Sequence, residues 1–204
     1  QNISVDGGDV TLQGKVVLLN SISIDTEQGN NGSAGSIIFA RTDLPEGFIT
    51  VGNVNSTISS AAAGLTLTLD ASTTGGNGGE VALGNFNSDG GNFINKLDVN
   101  TDGTANGQII INENIALSQT TGDGFVSNAS GANIISRRDS NTGNVQSITT
   151  QGGNILLNNG HIFAESGDTD MQLTLNSTGA SATSGAINFG VVDDDSGTDS
   201  FLNA

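Results

Sequence analysis

The chain has no cysteine, no tryptophan and no tyrosine, a single proline and only five basic residues in 204. Without cysteine there is no disulfide and no thiolate metal site, so packing and hydrogen-bonded ladders must hold the fold. Five Lys and Arg against 21 Asp and Glu leave a formal net charge of −16. So few cations cannot neutralise phosphates, which excludes nucleic acid and anionic lipid as partners. No run approaches the ~18 apolar residues of a membrane-spanning helix, so no membrane insertion is expected. His161 is the only histidine. It follows Asn159-Gly160 and precedes Ile162-Phe163, a setting that predicts a corner or a solvated strand face. With one imidazole and no Trp or Tyr to stack on sugars, a polysaccharide-degrading enzyme is a poor fit, and the chain is expected to have no catalytic residues.

What is present is glycine, 30 residues of it, and a 34% apolar fraction that falls in short regular clusters. Disordered chains lack such clusters. Gly, Asn, Ser and Thr are poor helix formers, and the apolar spacing is two, not 3.6, so the class is all-β. Leu65-Thr66-Leu67-Thr68-Leu69 puts three Leu on one face and two Thr on the other. Ile109-Ile110-Ile111 and Ile155-Leu156-Leu157 are continuous apolar runs, as expected of strands covered on both sides.

One phrase occurs four times: an alternating strand ending in Asp or Asn, a polar stretch, then Gly and a second strand. Ile22-Ser23-Ile24-Asp25 leads to Gly35-Ser36-Ile37, and Leu67-Thr68-Leu69-Asp70 to Gly79-Glu80-Val81. Leu97-Asp98-Val99-Asn100 leads to Gly107-Gln108-Ile109, and Leu173-Thr174-Leu175-Asn176 to Gly185-Ala186-Ile187. Repetition of this kind marks a supersecondary unit stacked on copies of itself. Two strands and a turn every ~20–30 residues make one coil of a solenoid. Eight or nine coils at ~4.8 Å would give a rod roughly 40 Å long. A longer echo joins Gly7-Gly8-Asp9-Val10 to Gly152-Gly153-Asn154-Ile155, and the phrases at Ile22 and Gly35 to those at Leu173 and Gly185. Its period, near 150 residues, suggests repeated whole modules.

The alternative architecture is a pair of tandem antiparallel β-sandwiches, which also show many short strands. Sandwiches usually carry buried Trp or Tyr and more edge proline, and this chain has neither feature. Residues 1–204 are therefore read as one parallel β-helix segment. Irregular loops are expected near 41–47, around Pro45, and near 122–144, around Arg137-Arg138. No signal peptide opens the chain, and it is read as a piece of a larger protein.

Gly8-Asp9-Val10-Thr11-Leu12-Gln13-Gly14, Gly153-Asn154-Ile155-Leu156-Leu157-Asn158-Asn159-Gly160 and the stretch from Ala71 to Leu83 resemble the repeats of filamentous-haemagglutinin-type adhesins. The resemblance covers most of the chain. It implies a right-handed coil and an extracellular or bacterial cell-surface location. It also implies a stalk or filament role, with the rest of the parent chain as partner, and it carries over no site residue.

Calcium is the one cofactor the sequence raises. Closely spaced carboxylates on a turn suit a hard cation that accepts six to eight oxygens. The candidates are Asp193, Asp194, Asp195 and Asp199, then Asp168 and Asp170, then Asp102 beside Asn100. Gly75-Gly76-Asn77-Gly78-Gly79-Glu80-Val81 fits the calcium β-roll nonapeptide only superficially, with Glu where Asp belongs. The alternative to a stalk is thus a calcium-dependent module that binds a carbohydrate or a host or partner-cell protein through the loop at Pro45 or Arg137.

Overall fold

The computed structural model describes residues 1–40, 57–88, 91–105, 107–129, 131–135, 145–158, 161–164, 171–179, 184–190 and 202–203. The chain winds in coils of three strands, one for each of three sheets. The first coil is β1 (Ile3–Ser4), β2 (Val10–Gln13) and β3 (Val16–Leu18). The second is β4 (Ile22–Asp25), β5 (Ile37–Ala40) and β6 (Thr57–Ser60), and the third is β7 (Thr66–Asp70), β8 (Glu80–Leu83) and β9 (Asn85–Phe86). The fourth is β10 (Lys96–Thr101), β11 (Gln108–Ile111) and β12 (Ile115–Ala116). The fifth is β13 (Asp123–Ala129), β14 (Ala132–Ile135) and β15 (Val145–Thr149). The sixth is β16 (Asn154–Asn158), β17 (His161–Ala164) and β18 (Met171–Asn176), and β19 (Ile187–Phe189) and β20 (Leu202–Asn203) begin a seventh. Every pairing between these strands is parallel, and the sheets hold seven, six and seven strands. This is a parallel β-helix; the sandwich alternative, which needs antiparallel neighbours in two facing layers, does not hold.

Three strands per coil correct the expected two. Sequence reading finds strands at 16–20, 146–149 and 172–176, which are β3, β15 and β18 of the third sheet, but not β9 and β12, which are two residues long and too short to alternate. With three strands used per coil there are seven rungs instead of eight or nine, about 30 Å at the usual strand spacing.

Side chains stack on like side chains. One inward column of the first sheet runs Ile22, Leu67, Leu97, Phe125, Ile155, Ile187. Its neighbour runs Ile3, Ile24, Leu69, Val99, Ser127, Leu157, Phe189. From Leu67 to Ile155 the first column is fully buried, and it meets Ile37, Phe39, Val81, Leu83, Ile109 and Ile111 of the second sheet and Ile58, Phe86 and Ile115 of the third. Phe39 and Phe86 meet edge to face at 5.9 Å. Burying each such side chain contributes about 1.5–3 kcal/mol, although no coil could bury its own face. Ile110 is buried as well as Ile109 and Ile111, so β11 is covered on both sides as its sequence predicts; Leu156 is half-buried, so β16 is not.

The fifth coil departs from the rule. Ser127 stands in the column between Val99 and Leu157, and Asn133 between Ile109 and Ile162. Both are fully buried, with the Ser127 hydroxyl donating to Asn133 Oδ1 at 2.8 Å. Gln146 of β15 is buried too and donates to the Asn112 carbonyl at 3.2 Å. Its first two strands, β13 and β14, lie in the stretch 122–144 that sequence reading takes as an irregular loop region with one short strand expected at 133–136; β13 corrects that reading and β14 meets it. A polar residue at an inward position, and a bulge between Asp123 and Phe125, erase the alternation that would reveal β13.

The recurring phrase has a mechanical cause. The strand-ending Asx turns the chain: Asp25 Oδ1 accepts the Glu27 N–H at 2.9 Å, Asn100 Oδ1 that of Asp102 at 3.2 Å, and Asn176 Oδ1 that of Thr178 at 3.0 Å. The next residue closes the corner on the glycine. Thr26 Oγ1 donates to the Gly35 carbonyl at 2.8 Å, Gly79 N–H to the Ala71 carbonyl at 2.8 Å, and Ser177 Oγ to the Gly185 carbonyl at 2.7 Å. Gly79 sits directly over Gly35, and a Cβ there would overlap the Gly35 carbonyl oxygen. Close approach between rungs is what requires this glycine.

The fourth copy of the phrase lies elsewhere on the coil. The first three run from the first sheet to the second, whereas β18 to β19 runs from the third sheet to the first. The 150-residue echo likewise pairs β2 with β16, β4 with β18 and β5 with β19, each shifted by one sheet. The echo is therefore a recurrence of corner chemistry out of phase with the coil, not a stacked module. Connections from the second sheet to the third vary most in length, from the single Gly84 between β8 and β9 to the sixteen residues 41–56.

Candidate functional site

The calcium candidates come first. Asp193, Asp194, Asp195, Asp199, Asp168 and Asp170 lie outside the described residues, as do Pro45 with the loop expected at 41–47, and the Arg137-Arg138 pair with residues 136–144 of the loop region expected there. Asp102 is half-buried at the corner after β10, where its carbonyl accepts the Thr73 N–H at 2.8 Å. Among the described residues no group of three or more His, Cys, Asp or Glu is placed to hold a metal ion. The Gly75–Gly79 stretch meets the requirements of packing: a Cβ on Gly75, Gly76 or Gly78 would collide with backbone of Asn31, Gly32 or Thr101.

A ladder of Asx side chains climbs the first sheet through Asp25, Asp70, Asn100, Asn128 and Asn158. Near its lower end the Asp70 carboxylate accepts both the N–H and the hydroxyl of Ser72. Near its upper end Asn158 Nδ2 donates to Asn128 Oδ1 at 3.3 Å. On the same sheet Lys96 Nζ lies 3.1 Å from Asp98 Oδ1, a half-exposed pair worth little. His161 opens β17 on the exposed side and stacks on Phe163 with ring centroids 5.6 Å apart.

The most distinctive surface is the upper end of the solenoid. Ile187 and Phe189 continue the two inward columns of the first sheet, where Ile155 and Leu157 are sealed, yet they are 39% and 48% exposed. No strand of the first sheet lies beyond β19 among the described residues. Beside it a shallow depression of about 390 Å³ is lined by Asn128, Leu157, Asn158, Asn188, Phe189 and Gly190. These six offer amide and apolar contacts and no titratable group. Such a surface can receive an extended backbone and apolar side chains, and it supplies no acid, base or nucleophile.

The lower end is its counterpart. Ile3, Leu12 and Val16 are half-buried, whereas their register partners Ile24, Phe39 and Ile58 are sealed.

Among the described residues no helix is long and apolar enough to cross a membrane. Comparison with protein-family models, with curated proteins and with solved structures gives no match to this chain.

Proposed function

We propose that this chain is a non-enzymatic structural segment of a large secreted or cell-surface bacterial protein, acting as a rigid spacer that holds interaction surfaces at a distance. One observation carries the reading: seven strands of the first sheet pair in parallel without interruption around one apolar interior. A stack of this kind resists bending because each rung is hydrogen-bonded along its length to the next, and its length grows by a fixed increment per coil. The resemblance to filamentous-haemagglutinin-type repeats supports the surface location. The acidic composition supports it as well, since a net charge of −16 disfavours non-specific association.

The test is binding of the isolated chain to arrayed glycans and to intact cells, with calcium and with chelator. A spacer gives no saturable binding and a melting temperature unchanged by chelator. Saturable binding to a sugar or protein that chelator abolishes, with melting lowered by several degrees, would replace the spacer with a calcium-dependent adhesive module.

A further inference from the structure

The fifth coil carries a polar side chain toward the axis from each of its three strands: Ser127 on β13, Asn133 on β14 and Gln146 on β15. All three are fully buried. Their hydrogen bonding is uneven. Ser127 Oγ donates to Asn133 Oδ1 at 2.8 Å, and Gln146 Nε2 donates to the Asn112 carbonyl at 3.2 Å. Asn133 Nδ2, with two hydrogens to give, has no hydrogen-bond partner among the described residues. A buried donor in that condition is rare in a folded protein, because solvent satisfied it before folding and nothing in the core has replaced that bond.

The same rung has room. Ser127 is smaller than Val99 and Leu157, between which it lies, and Asn133 is smaller than Ile109 and Ile162. Phe125, larger than Leu97 and Ile155, takes back only part of the difference. One water takes up ~30 Å³. We infer that the fifth coil binds water inside the solenoid, beside the Asn133 amide and within the ring that Ser127, Asn133 and Gln146 form. The water accepts the hydrogen bond of Asn133 Nδ2.

The chemistry selects water over an ion. The group that lacks a partner is a donor, so a cation would meet the wrong end of its dipole. An anion would accept from it, yet no described inward residue of this coil carries a charge to balance one, and an unbalanced buried charge is far more costly than a neutral guest. Water accepts from Asn133 and gives its own hydrogens to lone pairs that the ring retains, those of the Ser127 hydroxyl among them. Apolar interiors stay dry, whereas polar ones of adequate size are hydrated. The rungs on either side, lined by sealed Val99, Ile109, Leu157 and Ile162, are the dry comparison within one molecule. Internal water neither requires the spacer reading nor conflicts with it.

The experiment is nuclear magnetic resonance on the full chain labelled with nitrogen-15, joined to deuteron relaxation dispersion, which counts waters that stay in place far longer than surface waters do. The Asn133 side-chain amide, assigned by its loss in the double variant Ser127→Val, Asn133→Ile, should show a direct cross-peak to the water resonance. That double variant gives the fifth rung the apolar lining of its neighbours, and it should hold fewer long-lived waters than the parent chain. Thr68→Val, on the outer side of β7, should leave the number unchanged. An Asn133 amide without a cross-peak to water in the parent chain would overturn the proposal, whether or not the double variant folds. So would equal numbers of long-lived waters in the parent and a folded double variant. A cross-peak to a signal other than water, lost on dialysis, would mark a different guest and overturn it as well.

Discussion

Asp70 shows how much one side chain does in this fold. Its Oδ1 accepts two hydrogen bonds from Ser72, and these turn the chain out of β7 toward the corner that ends at Gly79. Its carboxylate also stacks in register on Asp25, a like-charge contact that costs a few tenths of a kcal/mol. The acceptor is what matters, and the charge is a liability. Asp70→Asn should therefore leave stability unchanged or slightly raised, while Asp70→Ala should lose about 1 kcal/mol in chemical denaturation. Equal losses in both variants would show that the negative charge itself is needed, as a cation site would require. This turn was legible in the sequence as a strand-ending Asx. Its hydrogen-bonded cause was not, because a repeated letter does not say which backbone N–H it meets.

Among elements, legibility followed side-chain alternation. β7 and β10 were readable because Leu67, Leu69, Leu97 and Val99 alternate with polar residues over a sufficient length. β9 and β12 were not, since each exposes two residues to the pattern and takes its place from the rungs on either side. β13 was hidden by its own chemistry. Ser127 occupies a position that Val99 and Leu157 fill below and above, and it is tolerated there because Asn133 Oδ1 accepts a hydrogen bond from its hydroxyl. Removing one partner strands the other in the core at about 1–3 kcal/mol, whereas replacing both by apolar residues of similar shape restores packing. Ser127→Ala should thus destabilise the chain, and the double variant Ser127→Val, Asn133→Ile should recover or exceed the parent in urea unfolding. Failure of the double variant to recover would mean that the polar pair contributes more than its own satisfaction.

For the molecule as a whole, each rung touches only its neighbours, so stability depends on position along the axis. Interior rungs are flanked on two sides by described strands, whereas among them β19 pairs with β16 alone and its Ile187 and Phe189 are exposed. Amide hydrogen exchange should be slowest in β10 and β11 and fastest in β19, with no single global rate. Uniform protection from Leu97 to Phe189 would show that the solenoid opens as one cooperative unit. Parallel stacking itself was legible from the repeated phrase. The number of strands per coil and the phase of the long echo were not, because identical corners serve more than one edge of the coil and the letters do not record which.

The seam where the second sheet hands the chain to the third has an evolutionary corollary. Connections there range from the single Gly84 to the sixteen residues between Ala40 and Thr57, a wider spread than at either of the other two corners. Lengthening such an excursion costs only the slow logarithmic entropy of a larger loop and leaves the ladder's pitch untouched. Natural variation can therefore write new recognition along one longitudinal margin of the mast, a row of interchangeable pennants, while the mast beneath keeps its gauge.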